Sequence, residues 1–260
     1  MNRLPALFVS HGAPTMIIEP TPAREFLSGF GAVVGRPAAV LVVSAHWDTS
    51  APAVGLAERP DTIHDFFGFP QALYRLRYAA PGAPALAQRA ATLLQGAGFE
   101  VQRDPARGLD HGAWVPLMLL YPQADIPVTQ LSIQGDLGPA HHQRLGKALA
   151  ALRDENVLIL ASGSATHNLS YFRRYALNDP APGWVSDFRE WIATTVAEGR
   201  DQDLLDYRRL APHAAENHPT EDHFLPLFVA LGARTPGVPG QRVHASDTYG
   251  VLAMDAYRFD

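Results

Sequence analysis

Cysteine is absent from this 260-residue chain. That absence removes disulfides, thiolate metal sites and a cysteine nucleophile together, and leaves the redox compartment unspecified. Lysine is nearly absent too: Lys147 stands alone, so almost all positive charge is arginine, which we read as a genomic bias. With 21 basic residues against 26 acidic ones, the net charge of −5 lacks the basic excess of a nucleic-acid binder. No charged start with an apolar core precedes the first apolar run, and no run reaches membrane-spanning length. The expectation is a cytoplasmic protein with neither nucleic acid nor membrane as partner. Nothing in the sequence specifies an oligomeric state.

What is present is ordinary globular material, with 47% hydrophobic and 18% charged residues. Short, almost wholly apolar runs at Leu4–Val9, Ala38–Ser44, Val128–Ile133 and Val157–Ala161 predict strands buried on both faces. Amphipathic runs at Pro84–Gln95, Pro139–Leu152 and Trp184–Glu198 predict helices, the first closed by Gly96 and Gly98. Alternation of this kind predicts an α/β fold, a central largely parallel or mixed sheet with helices on both faces. The Pro/Gly-rich pieces Ala79–Pro84 and Arg234–Gly240 are too short for linkers, so a single domain over residues 1–260 is expected. Only Asp48–Tyr78 is long, irregular and rich in aromatics, the profile of a functional loop.

Three of the apolar runs end alike. "FVSHG", "VVSAHW" and "LASGSATHN" each deliver a serine and then a histidine: His11, His46 and His167. In open α/β sheets the ligand crevice lies outside the carboxyl ends of the strands. One histidine after a strand is more often structural, but three are harder to explain as coincidence, because each desolvated imidazole needs a partner. The serines themselves, Ser10, Ser44 and Ser162, read as strand-end groups bonded to backbone.

"ENHPTEDHFLPL" adds His223, placed by this reading on the first turn of a helix capped by Thr220, with Glu221 and Asp222 favourable beside it and Pro226 tolerated or slightly kinking. "LDHGAWVPL" places His111 at a helix entrance, as a cap or a catalytic group. His141 and His142 are expected to face solvent on an amphipathic helix and His218 to be solvated, while His213 and His244 carry no readable signal. Several neutral imidazoles without thiolates suit a borderline divalent metal such as Fe(II), Zn(II) or Mn(II). HExxH, GxSxG, a Walker A loop and a GxGxxG after the first strand are all missing.

The segments "VSHGAP", "VVSAHWD", "IHDFFGFPQALYRLRYAAPGAP", "DHGAWVPL", "SGSATHNL" and "HPTEDHFLPL" resemble, in order, the motifs of the class III extradiol ring-cleavage dioxygenases. The best resemblance is to the branch of 4,5-DOPA extradiol dioxygenase-like proteins, and it runs from Leu7 to about Tyr257. It implies an oxidoreductase of aromatic catabolism that opens a catechol with O2, both oxygen atoms entering a muconic semialdehyde-type product. It further implies one divalent metal, Fe(II) for activity or Zn(II) as isolated, held by His11, His46 and His223, with His167 as a further candidate ligand. His167 would act as acid/base, His111 would face dioxygen or substrate, and His64, Phe66 and Phe69 would contact the catechol. One departure matters: the protocatechuate-cleaving branch uses a glutamate as third ligand, whereas the matching position here is His223. A zinc hydrolase built on the same imidazoles, or a metal-containing binding module without catalysis, are the competing readings.

Overall fold

Four strands marked by those apolar runs lie side by side at the centre of the structure, a computed structural model that describes residues 3–260, the side chain of Arg173 apart. They are β1 (Ala6–Ser10), β2 (Ala39–Asp48), β5 (Val128–Ile133) and β6 (Val157–Gly163), separated in sequence by the short β3 (Ala53–Gly55) and β4 (Gln102–Asp104). After them come β7 (Gln241–His244), a two-stranded hairpin of β8 (Asp247–Thr248) and β9 (Leu252–Ala253), and β10 (Ala256–Phe259). The eight-stranded sheet has the order β4-β3-β5-β2-β6-β1-β10-β7. Its middle, β5-β2-β6-β1, is parallel, while β3 joins β5, and β10 joins β1 and β7, antiparallel. The sheet is therefore mixed, with the parallel part buried as its continuous apolar strands require.

Alternate residues of each central strand serve opposite layers. Phe8, Leu41, Val43, Ile159 and Ala161 pack with α2 (Pro84–Gly96), α4 (Gly138–Leu149), α5 (Gly183–Ala197) and α9 (Leu225–Ala233). Leu7, Val9, Val40, Val42, Leu158 and Leu160 pack with α1 (Pro22–Val34) and α3 (His111–Leu120). Short helices α6 (Asp201–Leu205), α7 (Tyr207–Leu210) and α8 (Ala214–Asn217) fill the segment before His218. Among the described residues no helix is long and apolar enough to cross a membrane.

The register puts the site where it is. Ser44 lies opposite Ser162, and Ser10 opposite Gly163, so the carboxyl ends of three parallel neighbours stop at one level. β2 runs four residues past its expected end, and His46 sits inside it rather than after it. The helix expected from Thr220 instead begins at Leu225, with His223 in the turn ahead of it. Pro226 is the reason: lacking an N–H and clashing with the carbonyl four residues back, it suits the second position of a helix, not its interior. His142, expected in solvent, is fully buried in α4, where its Nε2 accepts from the Gln134 N–H at 3.1 Å and its Nδ1 donates to the Gly138 carbonyl at 2.7 Å. His218 is likewise a core residue, donating from Nε2 to the Ala165 carbonyl at 2.9 Å and stacked on Phe224.

Candidate metal centre

Each strand end presents its imidazole through a specific backbone arrangement. His11 directly follows β1 and donates its N–H to the Gly163 carbonyl on β6 at 2.9 Å. His223 reaches the same strand from the other side, its carbonyl accepting from the Ser164 N–H at 2.8 Å. This approach needs Gly163, where a Cβ would stand 2.1 Å from the His223 oxygen. Gly112, in the first turn of α3, plays the same part for His46: a Cβ there would lie 2.5 Å from Ser44 Oγ and 2.9 Å from His46 Cδ2.

The three imidazoles point the same ring atom inward. His11 Nε2 is 3.0 Å from His46 Nε2, and His46 Nε2 is 3.2 Å from His223 Nε2. Their outward nitrogens each face an oxygen, bonded to it in His11 and His223. Ser162 Oγ gives its proton to the Gly112 carbonyl, so at 3.0 Å from His11 Nδ1 it must accept, and His11 carries its proton on Nδ1. His46 Nδ1 lies 3.3 Å from Asp65 Oδ2, and His223 Nδ1 is held by the Asp222 carboxylate. Those bonds put the proton of His11 and His223 on Nδ1. With His46 in the same tautomer, which the nearby Asp65 carboxylate favours, three Nε2 lone pairs face one another, an arrangement that repels unless a cation lies between them. The two separations match the roughly 3.3 Å edge of a tetrahedron with metal–nitrogen bonds of about 2.0–2.1 Å. The donor set fits a divalent metal, and the three ligand atoms lie within 4.8 Å of one another.

Burial keeps these rings neutral. It pushes His11 and His223 well below the ordinary histidine value, with the neighbouring imidazoles adding to the effect. It brings His46 down to about 4, opposed by Asp110 and Asp65. A neutral imidazole is the form that ligates.

Two further histidines border the same space. His111 begins α3, whose N-cap is Asp110, fully buried and accepting from the Ala113 N–H at 3.1 Å, Ser44 Oγ at 2.6 Å, Gln130 Nε2 at 2.8 Å and Arg107 Nη2 at 2.6 Å. Its ring centroid is 3.9 Å from that of His46. His167 follows β6, donates its N–H to the Asn217 carbonyl at 2.9 Å, and stacks on His223 at 3.4 Å and 9°. Burial lowers His167 to about 4 against the pull of Asp222.

All five histidines line one cavity of about 480 Å³ together with Asp65, Phe66, Phe69, Ser164 and Phe172. Phe67 stands at its mouth, 92% exposed. Of the residues expected to contact substrate, Phe66 and Phe69 are in the lining and His64 is not. Its Nε2 lies 3.2 Å from both the Leu76 carbonyl and Arg77 Nη1, which holds the loop closed on itself. Its neighbour Asp65 is the residue that turns inward. Asp65 accepts the His111 backbone N–H at 2.9 Å and lies 3.0 Å from His111 Nδ1, off the axis of the ring N–H. Burial works to raise its pKa, but His111 and His46 outweigh that and hold it at about 2. Sequence reasoning missed Asp65, although "IHDFF" offered an acid next to the histidine it chose. Ser162, read there as a backbone partner, also fixes the tautomer of His11.

Residues 5–254 match the family described as the catalytic LigB subunit of aromatic ring-opening dioxygenase. The chain is 44% identical over 256 residues to the 4,5-DOPA dioxygenase extradiol of Beta vulgaris, covering 97% of this chain and 95% of that one. It is 42% identical over 235 residues to the protein of the same description from Escherichia coli K12, covering 89% and 86%. The crystal structure of an uncharacterised protein from Escherichia coli K12 superposes with a TM-score of 0.83 at 35% identity, covering 99% of this chain and 100% of the other.

Proposed function

The chain belongs to the LigB family of aromatic ring-opening dioxygenases, and from that premise we propose that it is a metal-dependent extradiol dioxygenase that cleaves a DOPA-like catechol with O2. The C–C bond broken lies beside, not between, the two hydroxylated carbons. Both oxygen atoms enter the product, one in a carboxylate and one in an aldehyde, which makes it a muconic semialdehyde. The relatives that carry 4,5-DOPA in their descriptions support a substrate of that kind.

His11, His46 and His223 would hold the metal through Nε2, and His167 is kept as an acid/base group stacked behind His223. When bound, an Fe(II) ion supplies a Lewis-acid template that orients catechol and dioxygen and passes electrons between them. The remaining work falls to the chain's own groups. His167, neutral at physiological pH, accepts a catechol hydroxyl proton and later returns it. His111, at the mouth of the helix beside His46, donates to the negative charge that develops on oxygen. Phe66 and Phe69 present an apolar wall to the ring and exclude water. The observation that carries the reading is the convergence of three Nε2 lone pairs at the floor of a cavity bordered by two more imidazoles.

Anaerobic reconstitution with Fe(II), followed by L-DOPA and simpler catechols with and without O2, tests it. An oxygen-dependent yellow product, lost in His11→Ala together with the metal, is expected. His167→Ala should keep the metal and lose turnover; loss of the metal as well would make it a ligand. A zinc hydrolase is the second reading, favoured by the all-imidazole donor set, which suits zinc as well as iron. Tightly held zinc with no product from any catechol would favour it over the dioxygenase.

A further inference from the structure

A divalent ion on three neutral imidazoles keeps its full charge of two, and nothing in that donor set offsets it. The offset is available one layer out. Three carboxylates approach the histidines, and one of them, Asp110, is already matched by Arg107 at 2.6 Å. The other two, Asp65 and Asp222, face histidines; among the described residues neither has a Lys or Arg nitrogen within 4.0 Å.

Their placement follows one pattern. Asp65 is grouped with His46 and His111, and Asp222 with His223 and His167, the ligand atoms of each triad within 4.8 Å of one another. In both triads the carboxylate lies near the ligand atoms of one imidazole of the metal set and of one imidazole of the cavity wall, and the two rings themselves pack together. The two arise from unrelated segments, the aromatic loop and the turn before α9, so local sequence repetition does not explain the match. His11, the third metal-set histidine, has only the neutral Ser162 hydroxyl on its Nδ1.

We propose that Asp65 and Asp222 are positioning residues that supply from the outer layer the negative charge a three-histidine set lacks, each placed beside one metal-set imidazole and one imidazole of the cavity wall. Asp222, bonded to His223 Nδ1, fixes that tautomer, orients the ring and makes its Nε2 a stronger donor, while Asp65, 3.3 Å from His46 Nδ1, acts through its charge. Loss of an outer partner of this kind costs about 10- to 100-fold in metal affinity. Because the two carboxylates serve different ligands, their effects compound. The proposal rests on the metal-centre reading given above.

The test is a Zn(II) competition titration of metal-free protein against a chromophoric chelator, for wild type, D65N, D222N and the double variant. Asparagine keeps the shape and one acceptor oxygen, removes the charge, and turns the other oxygen into a donor nitrogen. D136N, which removes the same charge from an exposed site elsewhere, is the control. Each single variant should bind zinc about 10- to 100-fold more weakly and the double variant more weakly still. D136N should match wild type, and the melting temperatures of the metal-free proteins should agree. D65E and D222E, which restore the charge, should recover part of the affinity. Variants that hold zinc as tightly as wild type overturn the proposal and leave the metal centre intact, whereas a wild type that binds no stoichiometric zinc or iron overturns the metal centre itself.

Discussion

Replacing Gly163 by alanine isolates the contact that joins strand β6 to the turn bearing His223. Gly163 is not among the residues with positive φ, so alanine meets no backbone strain there and its whole effect is steric. The new Cβ would stand 2.1 Å from the His223 carbonyl oxygen and 3.3 Å from the Phe8 ring. Separations under 3.0 Å are not sustained, so the carbonyl must retreat by at least 0.9 Å. That retreat breaks or stretches the 2.8 Å bond from the Ser164 N–H, worth about 1 kcal/mol net. Overpacking a close-packed interior adds roughly 1–3 kcal/mol. The sum, about 2–4 kcal/mol, lowers Tm by roughly 5–15 °C in a chain of this size. Because His223 moves with its carbonyl, turnover should fall about 100-fold, the usual consequence of a 1 Å misplacement. Thermal melts and steady-state rates on the iron-loaded enzyme read both quantities. A G163A protein with wild-type Tm and wild-type turnover would refute the claim that this glycine sets the position of the third histidine.

Other perturbations address separate parts of the molecule. His142 has its pKa lowered from 6.5 to about 4, first by burial, so the unfolded chain takes up its proton well before the native one does. Stability from this group is full above about pH 6.5 and drains away as pH falls towards 4, by about 3 kcal/mol in all. His142→Gln should therefore flatten the pH dependence of urea midpoints between pH 4 and 6.5; identical slopes in the two proteins would contradict it. Phe69→Ala should raise KM for a catechol about tenfold, the loss of one apolar contact worth about 1.4 kcal/mol, while His64→Ala leaves KM within about twofold because His64 lies outside the lining. A larger KM effect at His64 than at Phe69 would reverse that assignment. Arg153 is buried and donates to the Leu4 carbonyl at 2.6 Å and the Ala233 carbonyl at 2.8 Å, so Arg153→Met, which leaves both unpaired, should cost about 2–4 kcal/mol by denaturant titration.

The parallel centre of the sheet was legible because strands buried on both faces must be apolar throughout, and their ends were marked by Ser and His. The short strands β3, β4 and β7 were not, since three or four residues, buried in β3 and largely exposed in the two edge strands, are too few to carry a period and are set by their neighbours. Helix α1 also escaped notice: Gly29 and Gly31 weaken its helical signal, although Gly31 is required where the Leu120 carbonyl comes within 2.0 Å of a would-be Cβ. Within the site, histidines were visible because their spacing relative to strands is local information. Asp65 was not, because which of two adjacent loop residues turns inward depends on the fold of the loop, here on His64 being held by Leu76 and Arg77. The burial of His142 was hidden for a related reason, as a helix face reads as polar until the backbone N–H of Gln134 is placed against it.

The three inward-facing imidazoles belong to segments far apart along the chain, His11 and His46 being 35 positions apart and His46 and His223 a further 177. An ion gripped by all three would act as a topological staple, closing one short loop and one that spans most of the polypeptide. Since the entropy of closing a loop grows with its length, most of the constraint falls on the longer one. The grip can form only once β1, β2 and the turn before α9 have met, so the unfolded chain offers no comparable site. Ion binding then stabilises the native state alone, and unfolding midpoints should rise with metal concentration. Retention of the ion is in that sense a report on whether the two ends of the chain have found each other.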